Sequence, residues 1–182
     1  MSEEMIDVLD TQGEKTGQIL ELKEVHRQGL WHRTAHIWVV TSKGNILFQQ
    51  RSPILDVYPN CWDISASGHI RTGQTSLEGA IAETQEEIGL SLKPNSLEFL
   101  TTLQHESEHN QGTNINREFQ DVYLVTQDVS LNELTILNTE VSNLQFIHWS
   151  KLRRLVDNHD QGFAPRGQEY QLLFSILQQR YP

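Results

Sequence analysis

The chain opens with apolar residues at alternate positions and later shifts to helical spacing. "MIDVLDTQGEKTGQILE", residues 5–21, predicts two short strands around a turn, with Gly13 and Gly17 supplying turn geometry. "LKEVHRQGLWHR" reads as a brief helical or loop passage into "TAHIWVVTS", a β-branched and aromatic run of strand character. "KGN" then turns the chain into "ILFQQRS", which makes a hairpin. "CWDISASG" is a further strand ending at Gly68. From Ser76 to Ile88 the period changes: Leu77, Ala80, Ile81, Thr84 and Ile88 form one mostly apolar helical face, and Gly89 is placed to end it. "SLEFLTTLQHE" and "EFQDVYLVTQ" predict two more strands, joined by the polar loop "SEHNQGTNINR". "LQFIHWS" is a strand, "KLRRLVDN" a short helix, and "GQEYQLLFSILQQRY" a closing amphipathic helix. No repeat or composition break interrupts the pattern. It predicts an α+β sandwich over 1–182, with an N-terminal β-hairpin extension over about 1–30 and a C-terminal helix over about 166–180.

Length and charge narrow the picture. A chain of 182 residues suits one domain with a real core. A net charge of −10 and a pI near 5.2 argue against nucleic-acid or membrane-surface partners, which call for a basic face. Cys61 is the only cysteine, so no intrachain disulfide can form and a reducing, cytoplasmic setting is expected. "MSEEMIDVLD" lacks the basic-then-apolar pattern of a signal peptide.

The chemistry concentrates in residues 68–90, "GHIRTGQTSLEGAIAETQEEIGL". Glu83, Glu86 and Glu87 fall at i, i+3 and i+4, so a helix puts their carboxylates on one face. They repel one another, and the negative end of the helix dipole disfavours them further. A solvated acidic face is the plain alternative. Gly68 and Gly73, however, make a loop whose backbone N–H groups can approach an anion ahead of the helix. Carboxylates gathered this way suit Mg²⁺ or Mn²⁺, hard cations that also bridge phosphate oxygens.

Residues 68–90 resemble the signature box of the Nudix family, G-x5-E-x7-R-E-U-x-E-E-x-G-U, with U bulky and apolar. Gly68, Glu83, Glu86, Glu87, Gly89 and Leu90 stand on its positions, and the likeness extends through the flanking strands over most of the chain. The resemblance implies an α/β/α sandwich around a mixed β-sheet. It implies metal-dependent hydrolysis of a diphosphate linkage, with Glu83, Glu86 and Glu87 as metal ligands. Two positions depart: Gln74 replaces the first glutamate of the box and Ala82 its arginine. In family members those two side chains can support each other, so their joint absence reads as one lost salt bridge; losing both partners leaves no unpaired charge.

The segment "GLWHRTAHIWVVTSKGNILFQQRSPILDVYPNCWDISASGHI" is similar to isopentenyl-diphosphate isomerase and to a group of isomerase-like Nudix hydrolases. An isomerase is therefore the rival function. Its catalytic cysteine falls at Ser67, with Cys61 six residues earlier and not equivalent; its diphosphate-binding lysine falls at Leu55; its Glu-x-Glu metal pair reads Asn116-Arg117-Glu118. A hydroxyl is far less acidic than a thiol, so little proton shuttling would survive. His32, His69, Arg51 and Glu118 do match. His32 and His69 are either remnants of that metal site or hydrogen-bonding residues at a pocket mouth.

The expected activity is a Mg²⁺- or Mn²⁺-dependent diphosphohydrolase acting on a small-molecule diphosphate, with the metal on Glu83, Glu86 and Glu87. Glu83, Glu87 and Glu118 are the catalytic candidates, Glu83 or Glu118 taking a proton from water. Arg51, Arg33, His32 and His69 are candidates for holding the substrate. A non-catalytic binding module, suggested by Gln74 and Ala82, is a third reading, and a homodimer accords with family habit. Trp31, Trp38, Tyr58 and Trp62 are more readily core than stacking residues, His105, Glu106, Glu108 and His109 a polar loop, and Glu140 a structural turn.

Overall fold

The computed structural model describes residues 4–109, 114–137 and 139–182, which group into two compact units. The strands are β1 (Met5–Leu9), β2 (Lys15–Glu21), β3 (Trp31–Val40), β4 (Asn45–Arg51), β5 (Trp62–Asp63), β6 (Ala66–His69), β7 (Leu97–His109), β8 (Asn114–Thr126) and β9 (Val141–His148). The helices are α1 (Leu22–Gln28), α2 (Ser76–Ile88), α3 (Trp149–Asp157) and α4 (Gly167–Arg180). The class is α+β with a mixed β-sheet, as expected. Among the described residues no helix is long and apolar enough to cross a membrane.

The first unit takes Met1–His36, Ser67–Glu83 and Leu92–Tyr123. Within it β1 pairs antiparallel with β2, Ile6 opposite Leu20, and β1 meets β3 at Leu9 and Trp31. β6 and β8 also pair with β3, and β7 pairs with β8. Alternation puts Ile6 and Val8 on one face of β1, where they pack with Val25 of α1 and with Leu20, Leu22 and Leu30. α1 stops at Gly29, whose φ of 63° is the left-handed cap that a glycine adopts without strain. Strands β7 and β8 run longer than the polar sequence between them suggests. Ser107–His109 and Asn114–Arg117, expected in the loop, belong to these strands, and 110–113 lie outside the described residues.

The second unit takes Ile37–Ala66, Thr84–Ser91 and Leu124–Pro182. β4 is its centre, paired antiparallel with β9 from Asn45/His148 to Arg51/Val141 and with β5 at Gln49/Asp63 and Gln50/Trp62. Trp38, Phe48, Ile64, Leu152, Leu173 and Leu177 are fully buried. The Trp38 indole donates to Glu169 on α4 at 3.1 Å, which satisfies a buried donor. "CWDISASG", expected as one strand, is two. The break falls at Ile64 and Ser65, where the Ser65 hydroxyl accepts from the Val39 N–H at 2.8 Å and donates to the Leu47 carbonyl at 2.6 Å. A side chain that occupies two strands' backbone groups displaces the ladder at that point.

Candidate functional site

Helix α2 is set by both of its ends. Thr75 and Glu78 form a reciprocal cap: the Thr75 hydroxyl accepts from the Glu78 N–H at 3.2 Å and the Glu78 carboxylate accepts from the Thr75 N–H at 2.8 Å. At the other end Gly89 has φ 69° and its N–H reaches the Gln85 carbonyl at 3.1 Å. The last carbonyls are satisfied from another segment, Ile88 by the Thr135 N–H at 3.0 Å and Glu87 by the Leu137 N–H at 3.3 Å. The last turn holds no basic residue, so the helix carries its acidic end without a cationic cap.

The three glutamates of α2 differ in environment. Glu83 is 8% exposed and Glu87 only 4%, whereas Glu86 faces solvent. The Glu87 carboxylate accepts from the Gln49 amide at 3.2 Å, and Gln49 is itself buried with its Oε1 unpartnered. The Glu83 carboxylate lies directly against Gly68, so close that a methyl on that glycine would overlap its Cγ, carboxyl carbon and Oε2. Gly68 is thus required for the room it leaves Glu83. Arg71, three residues on in the loop after β6, approaches to 3.7 Å from Glu83 Oε1.

A second constellation lies wholly within the first unit. His26, His32 and His69 present ligand atoms within 4.8 Å of one another, and their rings are 5.1–5.5 Å apart. His32 Nδ1 is 3.1 Å from the Leu30 carbonyl, which makes Nδ1 the donor and leaves a lone pair on Nε2. That Nε2, 3.9 Å from Glu118 Oε1, has no hydrogen-bond partner, and neither does His26 Nε2. Burial pushes His32 and His69 down to about 4, helped by neighbouring imidazoles, and lowers His26 in the same way. The three are neutral at pH 7 and available as ligands. Burial would raise Glu118, but His36, His32, His69 and a hydrogen bond from Gln120 outweigh it and bring the carboxyl to about 2. Its oxygens accept from Asn116 at 2.8 Å and from Gln120 at 2.7 Å. His26 and Gln49 escaped sequence reasoning; "VHRQGLWHR", with two histidines flanking a helix-stopping glycine, was the available signal for the first.

The candidate substrate-binding arginines are both engaged with carboxylates. Arg33 pairs with Asp121 at 2.8 Å and sits over the Phe119 ring at 5.6 Å. Arg51 donates to the Val57 carbonyl at 2.8 Å and lies 3.5 Å from buried Asp63, which Arg166 grips with two 2.8 Å bonds. Cys61 donates to the Gln161 carbonyl at 3.7 Å, and burial pushes its thiol up, which works against a thiolate. Gln74, at the altered box position, accepts from the Arg71 N–H at 3.0 Å. Trp38 is core, Trp31 packs on Phe119 at 5.0 Å, and Tyr58 stands 42% exposed. Glu106 binds Arg117 at 3.0 Å, and the carbonyl of Glu140 accepts from the Ser52 N–H at 2.7 Å.

The chain belongs to the Nudix family: residues 30–167 match the NUDIX domain. It is 40% identical to Nudix hydrolase 3 of Arabidopsis thaliana across 99% of its length but spans only 24% of that protein. It is 36% identical to an uncharacterized Nudix hydrolase of Clostridium acetobutylicum, covering 92% of this chain and 81% of that one. Its likeness to the isomerase branch shows in 30% identity to isopentenyl-diphosphate Delta-isomerase of Serratia proteamaculans, over 59% of this chain and 64% of that one. In fold it is similar to the crystal structure of DR0079 from Deinococcus radiodurans, with a TM-score of 0.66, 22% identity, and coverage of 98% and 100% of the two chains.

Proposed function

We propose that this protein is a divalent-metal-dependent diphosphohydrolase acting on a nucleotide-like or other organic diphosphate. The observation that carries the reading is the burial of Glu83 and Glu87 on one helix, at 8% and 4% exposure, with Gly68 leaving room for the first. Carboxylates are seldom buried without a compensating cation, and an all-oxygen donor set suits Mg²⁺ or Mn²⁺. Glu83, Glu86 and Glu87 would hold the ion. When bound, it neutralises the diphosphate and acidifies water. Glu83 or Glu118 then takes the proton from the water that attacks phosphorus, Glu118 being ionised at neutral pH for that role. Gln49 keeps the Glu87 carboxylate oriented. For Arg33 or Arg51 to bind phosphate, each would share its guanidinium with the carboxylate it now faces.

The histidine cluster favours a second reading. His26, His32 and His69 with Glu118 form a nitrogen-rich set that suits Mn²⁺ or a later transition ion, and two of its nitrogens are buried without a partner. Such a set accords with isomerase chemistry on a homoallylic diphosphate, against which Ser67 stands in place of the required thiol. A release screen separates the readings. Nucleoside di- and triphosphates, dinucleotides and isoprenoid diphosphates are offered with Mg²⁺, Mn²⁺ or EDTA, beside a Glu87→Gln variant. EDTA-sensitive release that falls by orders of magnitude in the variant is expected. Release that the variant retains in full would remove the carboxylate site, and isomerised product without release, rising on Ser67→Cys, would favour the second reading.

A further inference from the structure

Ala82 leaves α2 without the arginine of the Nudix box, and Gln74 is neutral where a glutamate would face it. A guanidinium nevertheless reaches Glu83. Arg71, in the loop after β6, has one nitrogen 3.7 Å from Glu83 Oε1, while its Nε donates to Glu4 Oε1 at 3.0 Å. Its backbone is fixed on three sides. The Arg71 N–H donates to Gln74 Oε1 at 3.0 Å, Arg71 bridges to Ile6 of β1, and the next N–H, of Thr72, donates to the Met5 carbonyl at 2.9 Å. The loop that carries the cation is therefore clamped to the first strand. The altered box residue Gln74 now anchors that loop.

The bare Cα of Gly68 lies against the Glu83 carboxylate, and Arg71 approaches it as well. At 3.7 Å the Arg71 nitrogen and Glu83 Oε1 form an ion pair, which steers the carboxylate electrostatically. Glu4 tethers the same guanidinium through Nε.

We propose that Arg71 is the positioning residue for Glu83, a cation supplied by the loop and tethered by Glu4 that replaces the helix arginine lost at Ala82. The inference rests on Glu83 serving the metal-dependent reaction proposed above. It explains how the box tolerates Gln74 and Ala82 together: the support for Glu83 has moved to another element.

Arg71→Gln, Arg71→Lys and the triple variant Arg71→Gln/Gln74→Glu/Ala82→Arg test it. Arg71→Gln should lower kcat by about tenfold or more with KM within about twofold, as expected when a group acts only through an oriented catalytic residue. Arg71→Lys should retain part of the rate, and the triple variant, which restores the box pair, should recover most of it. A kcat within about twofold of wild type, a rise confined to KM as for a phosphate ligand, or a triple variant no faster than Arg71→Gln would overturn the proposal. Urea unfolding of the metal-free protein supplies a readout independent of turnover: Arg71→Gln, Glu83→Gln and their double should be non-additive in midpoint, and additivity would overturn the pairing. Should the wild type hydrolyse nothing in the screen, the function fails, while this cycle still decides whether Arg71 and Glu83 act together.

Discussion

Replacing Gly68 with alanine tests the placement of Glu83 with a single methyl. The new Cβ would fall inside the van der Waals envelope of the Glu83 carboxyl, nearer than real Cβ atoms approach, and the group it meets is a buried side chain at 8% exposure with little room to retreat. Restoring ordinary carbon–carbon contact moves the carboxylate by roughly 1 Å. A displacement of that size in a catalytic group costs on the order of 100-fold in rate, or about 2.7 kcal/mol of barrier. Overpacking also costs about 1–3 kcal/mol of stability, so kcat is measured well below the variant's melting midpoint. Gly17→Ala is the control: Gly17 has φ 85° and nothing near its would-be Cβ, so it should lose stability through backbone strain and keep kcat. The assay is EDTA-sensitive release with the best substrate of the screen, read beside thermal melting. A folded Gly68→Ala protein within about threefold of the wild-type kcat would refute the reasoning that Glu83 needs the space beside Gly68.

Two further outcomes concern stability. Asp63 is fully buried and its carboxyl sits at about 2 because the Arg166 charge and bonds, with Arg51, outweigh the opposing effect of burial. A depressed folded value means the stabilisation is complete above the ordinary carboxylate range and is lost as pH falls from about 4 toward 2; it amounts to about 2 kcal/mol. Asp63→Asn should destabilise by about 3–5 kcal/mol at pH 7, because Arg166 loses the buried carboxylate it grips, and should flatten the acid limb of a urea-midpoint-against-pH plot; an unchanged limb would contradict it. Thr75→Ala removes the cap of α2 and should lower the urea midpoint by the equivalent of about 1 kcal/mol, whereas an unchanged midpoint would show that the α2 cap contributes little.

Local patterns carried much of the protein. The alternation in 5–21, the helical spacing from Ser76 to Ile88 and the closing helix were legible because each element's buried face recurs at its own period. The clustering of Glu83, Glu86 and Glu87 was legible for the same reason: helical spacing alone makes the three carboxylates neighbours on the helix. Where contacts were distant in sequence, the sequence was silent or misleading. The break in "CWDISASG" depends on Ser65 meeting Val39 and Leu47, and no local propensity encodes that meeting. His26 joins His32 and His69 only through the fold, which brings residues 26, 32 and 69 together.

What the sequence by itself determined is the family, the fold class and the helix that carries the carboxylates, since all three follow from residue types at fixed short spacings. The tertiary structure alone decided which carboxylates are buried, that Gly68 makes room for Glu83, and that Arg71 reaches Glu83 while held by Glu4, 67 residues from it in the chain. Those relations depend on the three-dimensional approach of segments far apart in sequence, and a one-dimensional pattern holds no record of that distance.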